Sequence, residues 1–337
     1  MSREAALEEL LSRPTSAVVT AMAALPGDLM LLGAGGKMGP SLARLTRRAS
    51  DQAGTSRRVI AVARFSEAGL REALEADGVE TVACDLFDRS RLAALPDAPN
   101  LIYMAGQKFG TTGEAARTWA VNAALPGIVA DRFPEARMVA FSTGNVYPLW
   151  PADSEGPAET DAVGPVGEYA QSALARERIL EFYSRRNATR MALLRLNYAV
   201  EPRYGVLRDI AERVWAGLPV SLAMSRVNLI WQRDANAIAL RALEHCESPP
   251  LVLNLTGPSH RVHALATEFG RRWNKAPIFE GQESESALLS NAARCGTLFG
   301  PPETGIGEMI DRVAEWVEVG GRSLGKPTHF ETRDGKF

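Results

Sequence analysis

Short apolar segments alternate with helix-like amphipathic segments between residues 29 and 197. Each apolar segment has the length of a buried strand and lacks the polar alternation of a half-exposed one, which is typical of parallel sheets. These segments are residues 29–32, 59–63, 79–84, 100–106, 137–143 and 190–197. Their regular alternation with helices predicts an α/β fold built on a doubly wound parallel sheet. Ligands of such sheets bind beyond the carboxyl ends of the strands.

A glycine cluster follows the first of these strands without a break. Gly33, Gly36 and Gly39 are spaced three residues apart, and Pro40 then opens a helical segment, where its missing N–H would have no partner anyway. Glycines at such a turn let a pyrophosphate approach the N–H groups of the helix N-terminus. The cluster therefore predicts a Rossmann dinucleotide-binding domain rather than a plain turn. The expected cofactor contacts are Gly33, Gly35, Gly36, Lys37, Met38 and Gly39.

The ends of the second and third strands bear on which dinucleotide binds. An NAD site usually carries an acidic residue after the second strand, where it holds the ribose 2′-hydroxyl. Here Arg64 and Ser66 occupy that region, and a guanidinium binds a 2′-phosphate through paired hydrogen bonds. NADP is therefore favoured and NAD is the alternative, unless Arg64 is only a solvated surface residue. Asp85 and Leu86 end the third strand, where an adenine ring is expected.

The rest of the chain predicts two further parts. Amphipathic segments before the first strand predict a helical extension that covers the domain surface or, as the less favoured alternative, contacts the second subunit of a homodimer. After residue 198 the pattern loosens, which predicts a smaller C-terminal substrate lobe whose polar tail, from Gly325, is frayed or clasps a neighbouring subunit. The predicted boundaries are 1–28 for the extension, 29–198 with 227–257 for the Rossmann domain, and 199–226 with 258–337 for the substrate lobe.

Composition excludes several classes of partner. The chain has 337 residues, a net charge of -2 and an isoelectric point near 6.2, which argue against binding to nucleic acid or an anionic membrane. No apolar run approaches the roughly 18 residues that span a bilayer, and the start of the chain lacks a signal-peptide pattern. Three cysteines without a C-x-x-C pair indicate a reducing compartment. We expect a soluble cytoplasmic protein that acts on a small molecule.

Motifs for metal or nucleophilic chemistry are missing from the sequence. His260 and His263 are spaced i, i+3, but no cysteine or third ligand is close to them in sequence, so no metal site is expected. The G-x-S-x-G elbow and the G-x-x-x-x-G-K-[ST] loop are also absent.

Residues suited to proton transfer follow the fourth and fifth strands. Lys108 lies in the polar loop after the fourth strand, and Thr143 ends the fifth. Tyr169 begins a long helix over residues 168–186. Asn122 lies inside a helical segment over residues 114–130, where an asparagine is usually a solvated surface residue.

Together these residues resemble the extended short-chain dehydrogenase/reductase family, the NAD-dependent epimerases and dehydratases, over residues 29–257. The resemblance implies that Thr143 binds the substrate oxygen, that Tyr169 exchanges its proton, and that Asn122 positions the loop or a proton-relay water. The segments that carry it are 33–39, 105–108, 141–147 and 194–197. The further cofactor contacts that it implies are Ala105, Gly106, Lys108, Tyr169 and Asn197.

The chain departs from the family at one catalytic position. The family's Y-x-x-x-K motif reads Tyr169-Ala170-Gln171-Ser172-Ala173 here, so the lysine that lowers the tyrosine pKa is missing. An unperturbed tyrosine has a pKa of about 10 and is almost fully protonated near pH 7. Two cations are candidates to replace the lysine. Lys108, which we favour, is also a candidate for a pyrophosphate contact, and Arg176 shares the helix face of Tyr169 about 10 Å along the axis.

A second departure concerns the substrate. In nucleotide-sugar members of the family, a long segment after the sixth-strand asparagine holds the base and ends in an arginine that contacts the diphosphate. Here only a short segment separates Asn197 from Arg226, the best candidate for that arginine, which favours a smaller substrate. The expected substrate contacts are Asn145, Asn197, Arg203 and Arg226. Arg208 and Arg233 are further candidates for a carboxylate or phosphate contact.

The sequence thus predicts an enzyme, an NAD(P)-dependent oxidoreductase or epimerase. Its expected substrate is a small polyhydroxylated carbonyl compound such as a sugar or sugar acid. One alternative is a nucleotide-sugar epimerase or dehydratase with a trimmed pocket. The other is an NAD(P)-binding protein without redox turnover, because the lysine is missing.

Overall fold

The computed structural model describes residues 2–108 and 113–336. Most of the predicted loop after the fourth strand, residues 109–112, therefore lies outside the described residues. The strands are β1 (Leu29–Leu32), β2 (Val59–Ala63), β3 (Glu80–Ala83), β4 (Asn100–Tyr103), β5 (Arg137–Thr143), β6 (Trp150–Pro151), β7 (Met191–Leu196), β8 (Ala199–Val200), β9 (Val220–Ser221), β10 (Arg226–Asn228), β11 (Ile230–Trp231), β12 (Leu251–Leu255), β13 (Ser259–Arg261), β14 (Phe279–Glu280) and β15 (Ser286–Ala287).

The α-helices surround these strands and connect them. They are α1 (Arg3–Leu11), α2 (Ser16–Ala24), α3 (Gly39–Gln52), α4 (Leu70–Ala76), α5 (Arg89–Ala93), α6 (Ala115–Trp119), α7 (Leu125–Arg132), α8 (Gly167–Asn187), α9 (Val206–Ala216), α10 (Gln232–Arg241), α11 (Val262–Trp273), α12 (Ala293–Phe299) and α13 (Ile306–Glu318). None of the helices in the described ranges has both the length and the apolar character needed to cross a lipid bilayer.

The predicted doubly wound parallel sheet is confirmed. Seven strands form one sheet in the order β12-β7-β5-β4-β1-β2-β3, and every neighbouring pair is parallel. In β1, Leu29 and Leu31 face one buried layer while Met30 and Leu32 face the other, because successive side chains of a strand point to opposite faces. Burial on both faces explains why β1 is apolar at every position.

The N-terminal helices pack on the chain's own cores. Leu7 and Leu11 of α1 join the core of the C-terminal lobe, which is formed mainly by α9, α11 and α13. Val18 and Met22 of α2 join the core on one face of the main sheet. The apolar faces of both helices are therefore buried within the described chain, as expected of helices that cover a domain surface.

The C-terminal tail also packs on its own chain. Thr328 and Phe330 are buried, and Arg333 donates hydrogen bonds to the backbone oxygens of Ala223 and Ser286. These contacts contradict the predicted fraying of the tail, whereas its contact with a neighbouring subunit stays a prediction. A short polar segment gave no sequence signal for this packing because the partners lie far away in sequence.

Two predicted elements differ from the structure. The helix expected over residues 114–130 is interrupted at Ala120–Ala124, which forms a π-helical turn between α6 and α7. The sequence also predicts a single strand over residues 226–231, and this strand is divided at Leu229, so that β10 pairs with β13 while β11 pairs with β8. The return of the chain to the main sheet at β12 was expected and is observed. The predicted domain boundaries stay a prediction.

Candidate active site

A cavity of about 340 Å³ lies beyond the carboxyl ends of β1, β4, β5 and β7. This is the edge at which a doubly wound sheet binds its ligands, because the strand order reverses there and leaves a crevice. Its wall includes predicted site residues from separate segments: Gly33, Gly36, Lys37, Met38, Gly106, Lys108, Thr143, Asn145, Tyr169 and Asn197. The fold therefore brings these residues to one place.

The glycine cluster forms the turn between β1 and α3. Gly33 has a φ of 93°, and a Cβ at this position would lie 2.6 Å from the backbone nitrogen of Ala105. A Cβ at Gly39 would collide with the carbonyl of Ala34. Helix α3 then begins at Gly39 with Pro40 in its first turn. These positions require glycine because the turn, β4 and the helix start approach each other closely.

Small residues, Ala105 and Gly106, also follow the end of β4 next to the cavity. A Cβ at Gly106 would lie 2.8 Å from Nη2 of Arg176, and Ala105 is half-buried beside the glycine turn. The N-terminus of α3 and this small-residue cradle fit a dinucleotide, whose pyrophosphate needs close approach to backbone N–H groups.

Thr143 and Tyr169 meet at the cavity. Thr143 is the last residue of β5, and its hydroxyl is hydrogen-bonded to the Tyr169 side chain. It also donates to Oδ1 of Asn145 over 3.0 Å. Burial raises the pKa of Tyr169, while the bond to Thr143 and the charge of Arg176 lower it, with a net increase. Tyr169 is therefore protonated at neutral pH.

The guanidinium of Arg176 supplies a positive charge near Tyr169, whereas the family's lysine position is occupied by Ala173. Ala173 is buried in a small apolar cluster with Val146 and Tyr147. The side chain of Arg176 donates three hydrogen bonds. Nε donates to the backbone oxygen of Asn122 over 3.1 Å, and Nη2 donates to Oδ1 of Asn122 over 2.8 Å. Nη1 donates to the backbone oxygen of Phe141 over 2.7 Å. The predicted separation of about 10 Å is the distance between the two residues along the helix axis. The Arg176 side chain comes closer than this to Tyr169, because helical side chains lean toward the N-terminus.

Lys108 lies near the same tyrosine. Its Nζ is 5.9 Å from the ring centroid of Tyr169 and also 5.9 Å from that of Tyr198. Burial lowers the pKa of Lys108 to about 8, and Asp209 opposes this shift. Both candidate cations are thus close to Tyr169, and the charge of Arg176 lowers its pKa. The role of Lys108 as the replacement for the missing lysine stays a prediction.

Asn122 is buried rather than solvated. Its amide donates to the backbone oxygen of Gln107 and accepts from the backbone nitrogen of Gln107, each over 2.8 Å. It also donates to the Ser172 hydroxyl over 3.0 Å. This side chain therefore fixes the start of the Lys108 loop relative to α8. The π-helical turn that contains it matches a pattern common at functional sites.

A buried network of ion pairs and hydrogen bonds connects the elements that carry Thr143 and Tyr169. Arg195 of β7 and Glu177 of α8 form an ion pair at 2.8 Å, with 5% and 3% of their side chains exposed. Ser142 donates to Glu177, and Arg195 donates to the Tyr147 hydroxyl. Because these bonds link β5, β7 and α8, they hold Thr143 and Tyr169 in register.

Several cavity residues were not anticipated from the sequence. They are Tyr198, Tyr204, Gln232, Lys326 and Thr328. Tyr198 directly follows Asn197, and its φ of 46° is uncommon for a bulky residue. Neither Lys326 nor Thr328 could have been found by motif, since both lie in the tail.

The residues predicted around the adenine ring end neighbouring strands. Arg64, Ser66 and Asp85 are exposed, whereas Leu86 is buried under the sheet. A Cβ at Gly35 would lie 3.2 Å from Cβ of Ala63, the last residue of β2. These side chains therefore lie beside the glycine turn but outside the wall of the cavity. Their predicted role in cofactor binding stays a prediction.

The predicted substrate arginines are not brought to the cavity. Arg203 is ion-paired with Glu201 and Glu8, and Arg226 donates to the hydroxyl and backbone oxygen of Ser259. The further candidates Arg208 and Arg233 are paired with Glu212 and with Asp234 and Glu303. Asn197 is buried at the cavity wall, and its backbone oxygen accepts from Thr256. No metal-binding group of acidic, histidine or cysteine side chains occurs among the described residues.

Comparison with known proteins identifies the family. The family model described as NAD dependent epimerase/dehydratase matches residues 29–255. The chain belongs to the NAD-dependent epimerase/dehydratase family. It is therefore an enzyme of the epimerase/dehydratase type. No curated protein matches it significantly by sequence.

Solved structures similar to this epimerase/dehydratase family member confirm its fold. UDP-glucuronic acid 4-epimerase from Bacillus cereus, with UDP-glucuronic acid and NAD, has a TM-score of 0.72 at 14% identity, over 87% of this chain and 99% of that one. UDP-glucose 4-epimerase from Thermotoga maritima, with UDP-glucose, has a TM-score of 0.71 at 17% identity, over 87% and 99%. UDP-glucose 4-epimerase from Thermus thermophilus, with NAD, has a TM-score of 0.69 at 20% identity, over 86% and 98%.

Proposed function

We propose that this enzyme is an NAD(P)-dependent oxidoreductase or epimerase acting on a small polyhydroxylated carbonyl compound such as a sugar or sugar acid. The observation that carries the proposal is the hydrogen-bonded pair of Thr143 and Tyr169 in the wall of the cavity. Two hydroxyls side by side suit a carbinol or carbonyl oxygen, because one can orient that oxygen while the other exchanges its proton.

Each nearby residue has a defined part in this scheme. Thr143 hydrogen-bonds the substrate oxygen, and Tyr169 donates or accepts the proton on it. Arg176 stabilises the tyrosinate electrostatically, which partly offsets the burial that raises the pKa of Tyr169. Asn122 holds the Lys108 loop in place. A bound nicotinamide dinucleotide, held by the glycine turn and the cradle at Gly106, would accept or return hydride at the nicotinamide ring.

Two features of the C-terminal lobe support a small substrate. The tail contributes Lys326 and Thr328 to the cavity wall, and Arg226 is bonded to Ser259 instead of facing the cavity. The alternative is a nucleotide-sugar epimerase with a trimmed pocket, in line with the UDP-sugars bound in the similar structures.

A substrate panel separates these two functions. The full chain is incubated with NAD or NADP and with free sugars, sugar acids or UDP-sugars, and both reduced cofactor and epimerised product are measured. We expect turnover of a free sugar or sugar acid. Efficient turnover of UDP-sugars alone would favour the alternative. Bound cofactor with no turnover of either class would contradict both.

NADP preference is the second part of the proposal. It is supported by the exposed Arg64 at the end of β2, with Ser66 nearby. We expect NADPH to bind more tightly than NADH, and Arg64→Ala to weaken NADPH binding by about tenfold with little effect on NADH. Titrations followed by nicotinamide fluorescence measure both affinities, with Arg178→Ala on the exposed face of α8 as the control. Tighter binding of NADH by the unmodified protein would restrict the cofactor to NAD.

A homodimeric state and a cytoplasmic location are further parts of this proposal. Phe182 of α8 is exposed beside the partly buried Ile128, Ile179 and Tyr183, and contiguous apolar patches are often found at subunit contacts. Light scattering of the purified protein determines its mass in solution.

A further inference from the structure

We propose that residues 325–336, which we name the strap, determine the size of substrate that the site accepts, because they close the cavity beside Tyr169 to substrates with a large distal group. This inference rests on the proposed function and adds the segment that sets its substrate specificity. The strap belongs to none of the helices and strands of the described chain.

The strap runs from α9 to the start of α8. At one end, Thr328 donates hydrogen bonds from its backbone nitrogen and its hydroxyl to Asp209 of α9. At the other end, Gly335 lies against Gly167, the first residue of α8, so closely that a Cβ at Gly335 would lie 2.9 Å from Cα of Gly167. Tyr169 is the second residue after Gly167. The strap therefore connects the lobe to the helix that carries the proposed acid or base.

The middle of the strap passes the cavity. Lys326 and Thr328 belong to the cavity wall. Burial and, to a smaller extent, the negative charge of Glu331 raise the pKa of Tyr198, which also belongs to the wall, so Glu331 lies near that side chain. Residues 326–331 therefore lie along the lobe side of the cavity.

The lobe side is the direction in which a substrate has to extend. In the proposed function Thr143 and Tyr169 hold the reacting oxygen, and the glycine turn takes up the cofactor on the side of the main sheet. The cavity of about 340 Å³ is at the lower end of the range of about 300–1,000 Å³ for ligand sites, and the nicotinamide ring has to share it. A compact substrate fits while the strap is docked, whereas a large distal group meets the strap.

The strap is held mainly by side chains. Phe330 is 3% exposed and packs in the core of the lobe. Arg333 donates to the backbone oxygens of Ala223 and Ser286 and to the Ser286 hydroxyl, over 2.9, 2.8 and 2.7 Å. Segments without the hydrogen-bond ladders of sheets and helices open at a lower free-energy cost than the core. The strap can therefore be released while the main sheet stays folded.

The test compares compact and extended ligands on the NADH-loaded full chain. Glucuronate with UDP-glucuronate and glucose with UDP-glucose are the two pairs of probes, each titrated by calorimetry. In the unmodified protein we expect the compact member of at least one pair to bind at least about tenfold more tightly than the extended member. Equal or tighter binding of the extended member in both pairs would overturn the proposal.

Two variants release the strap at different contacts. Arg333→Met removes the bonds to Ala223 and Ser286, and Gly335→Ala places a Cβ against the start of α8. Each should tighten binding of the extended ligand by at least about tenfold, because its distal group then no longer meets the strap. Binding of no probe to any of these proteins would overturn the proposal, since a released strap should admit the extended ligand.

Each variant has a matched control. Gly325 has a φ of 63°, close to the 73° of Gly335, but a Cβ at Gly325 would meet nothing within 4 Å, so Gly325→Ala carries the same backbone strain without the collision. Arg322 precedes the strap, and its side chain is 55% exposed, so Arg322→Met is the control for Arg333→Met. Both controls should leave the ligand preference unchanged.

Cleavage by chymotrypsin after Phe330 reports release of the strap without any ligand or turnover. Because Phe330 is buried when the strap is docked, the unmodified protein should be cut there slowly. Arg333→Met and Gly335→Ala should be cut at least about tenfold faster, in proportion to the population of the open form, and mass spectrometry identifies the site. Equal cleavage rates in all the proteins would contradict docking through these contacts and overturn the proposal.

The outcomes for this inference and for the proposed function are distinguishable. Faster cleavage with an unchanged ligand preference would overturn the strap as the determinant of specificity and leave the function standing. A ligand preference that changes with the strap, without any Tyr169-dependent turnover, would overturn the function and leave the strap standing.

Discussion

Replacing Tyr169 with phenylalanine is expected to lower kcat by about 100-fold to 10,000-fold, the usual contribution of a positioned acid or base. The change removes only the hydroxyl that is hydrogen-bonded to Thr143, so the ring remains to fill its place in the wall. NADH affinity should therefore change little. Steady-state kinetics on the substrate found in the panel, with fluorescence titration of NADH, measure both effects.

The matched control for this change lies on the same helix. Tyr183 of α8 packs against Phe182 and Arg186 and is not part of the cavity wall, so Tyr183→Phe should leave kcat unchanged. If Tyr169→Phe turned over substrate at the rate of the unmodified enzyme, the proton-transfer role of Tyr169 would be wrong, whatever the substrate.

Replacing Arg176 is expected to have the second largest effect, with a distinct pH signature. The positive charge of Arg176 lowers the pKa of Tyr169 against the effect of burial, so Arg176→Met should raise that pKa. When Tyr169 acts as the base in alcohol oxidation, the rising limb of the pH–rate profile should then move to higher pH. At pH 7 we expect kcat to fall by at least about tenfold.

Two further variants separate charge from structure. Arg176 also satisfies the backbone oxygens of Asn122 and Phe141, so its loss disturbs the local fold as well. Arg176→Lys keeps the charge and should recover most of the pH shift, whereas a purely structural role would leave the profile in place and only reduce its height. Arg178→Met, on the exposed face of α8, is the control. An unshifted profile in Arg176→Met would leave Lys108 as the cation that replaces the missing lysine.

The main sheet could be predicted because its signal is local. The strands β1 and β2 are buried on both faces and apolar at every position, and each is followed within about seven residues by a turn and a helix. The glycine cluster could be found in the same way, because residues at the carboxyl ends of parallel strands meet at one edge, whereas the pair Thr143 and Tyr169 was found through the resemblance to the family.

The position of the Arg176 guanidinium near Tyr169 was harder to predict, because it depends on the direction of a long side chain. Helical spacing gives the distance between backbones, and it placed Arg176 two turns away from Tyr169. A long side chain that leans toward the helix N-terminus covers much of that distance. The π-helical turn at Asn122 also escaped prediction, since the apolar pattern of α6 and α7 continues through it.

The remaining differences between prediction and structure involve partners distant in sequence. Arg203 is paired with Glu8, and Arg226 is bonded to Ser259, so two arginines with suitable positions serve the structure of the lobe. Lys326 reaches the cavity only because Thr328, Phe330 and Arg333 hold the tail on the chain. No local pattern contains these contacts, which depend on the complete tertiary fold.

The docking of the tail has a consequence for how the protein is made. Chains leave the ribosome from the N-terminus at roughly 5–20 residues per second, and domains generally fold as units in that order. The seven-stranded sheet is complete at Leu255, whereas Lys326 and Thr328 of the cavity wall follow about seventy residues later. A nascent chain therefore presents an assembled glycine turn for several seconds before its cavity gains this last wall.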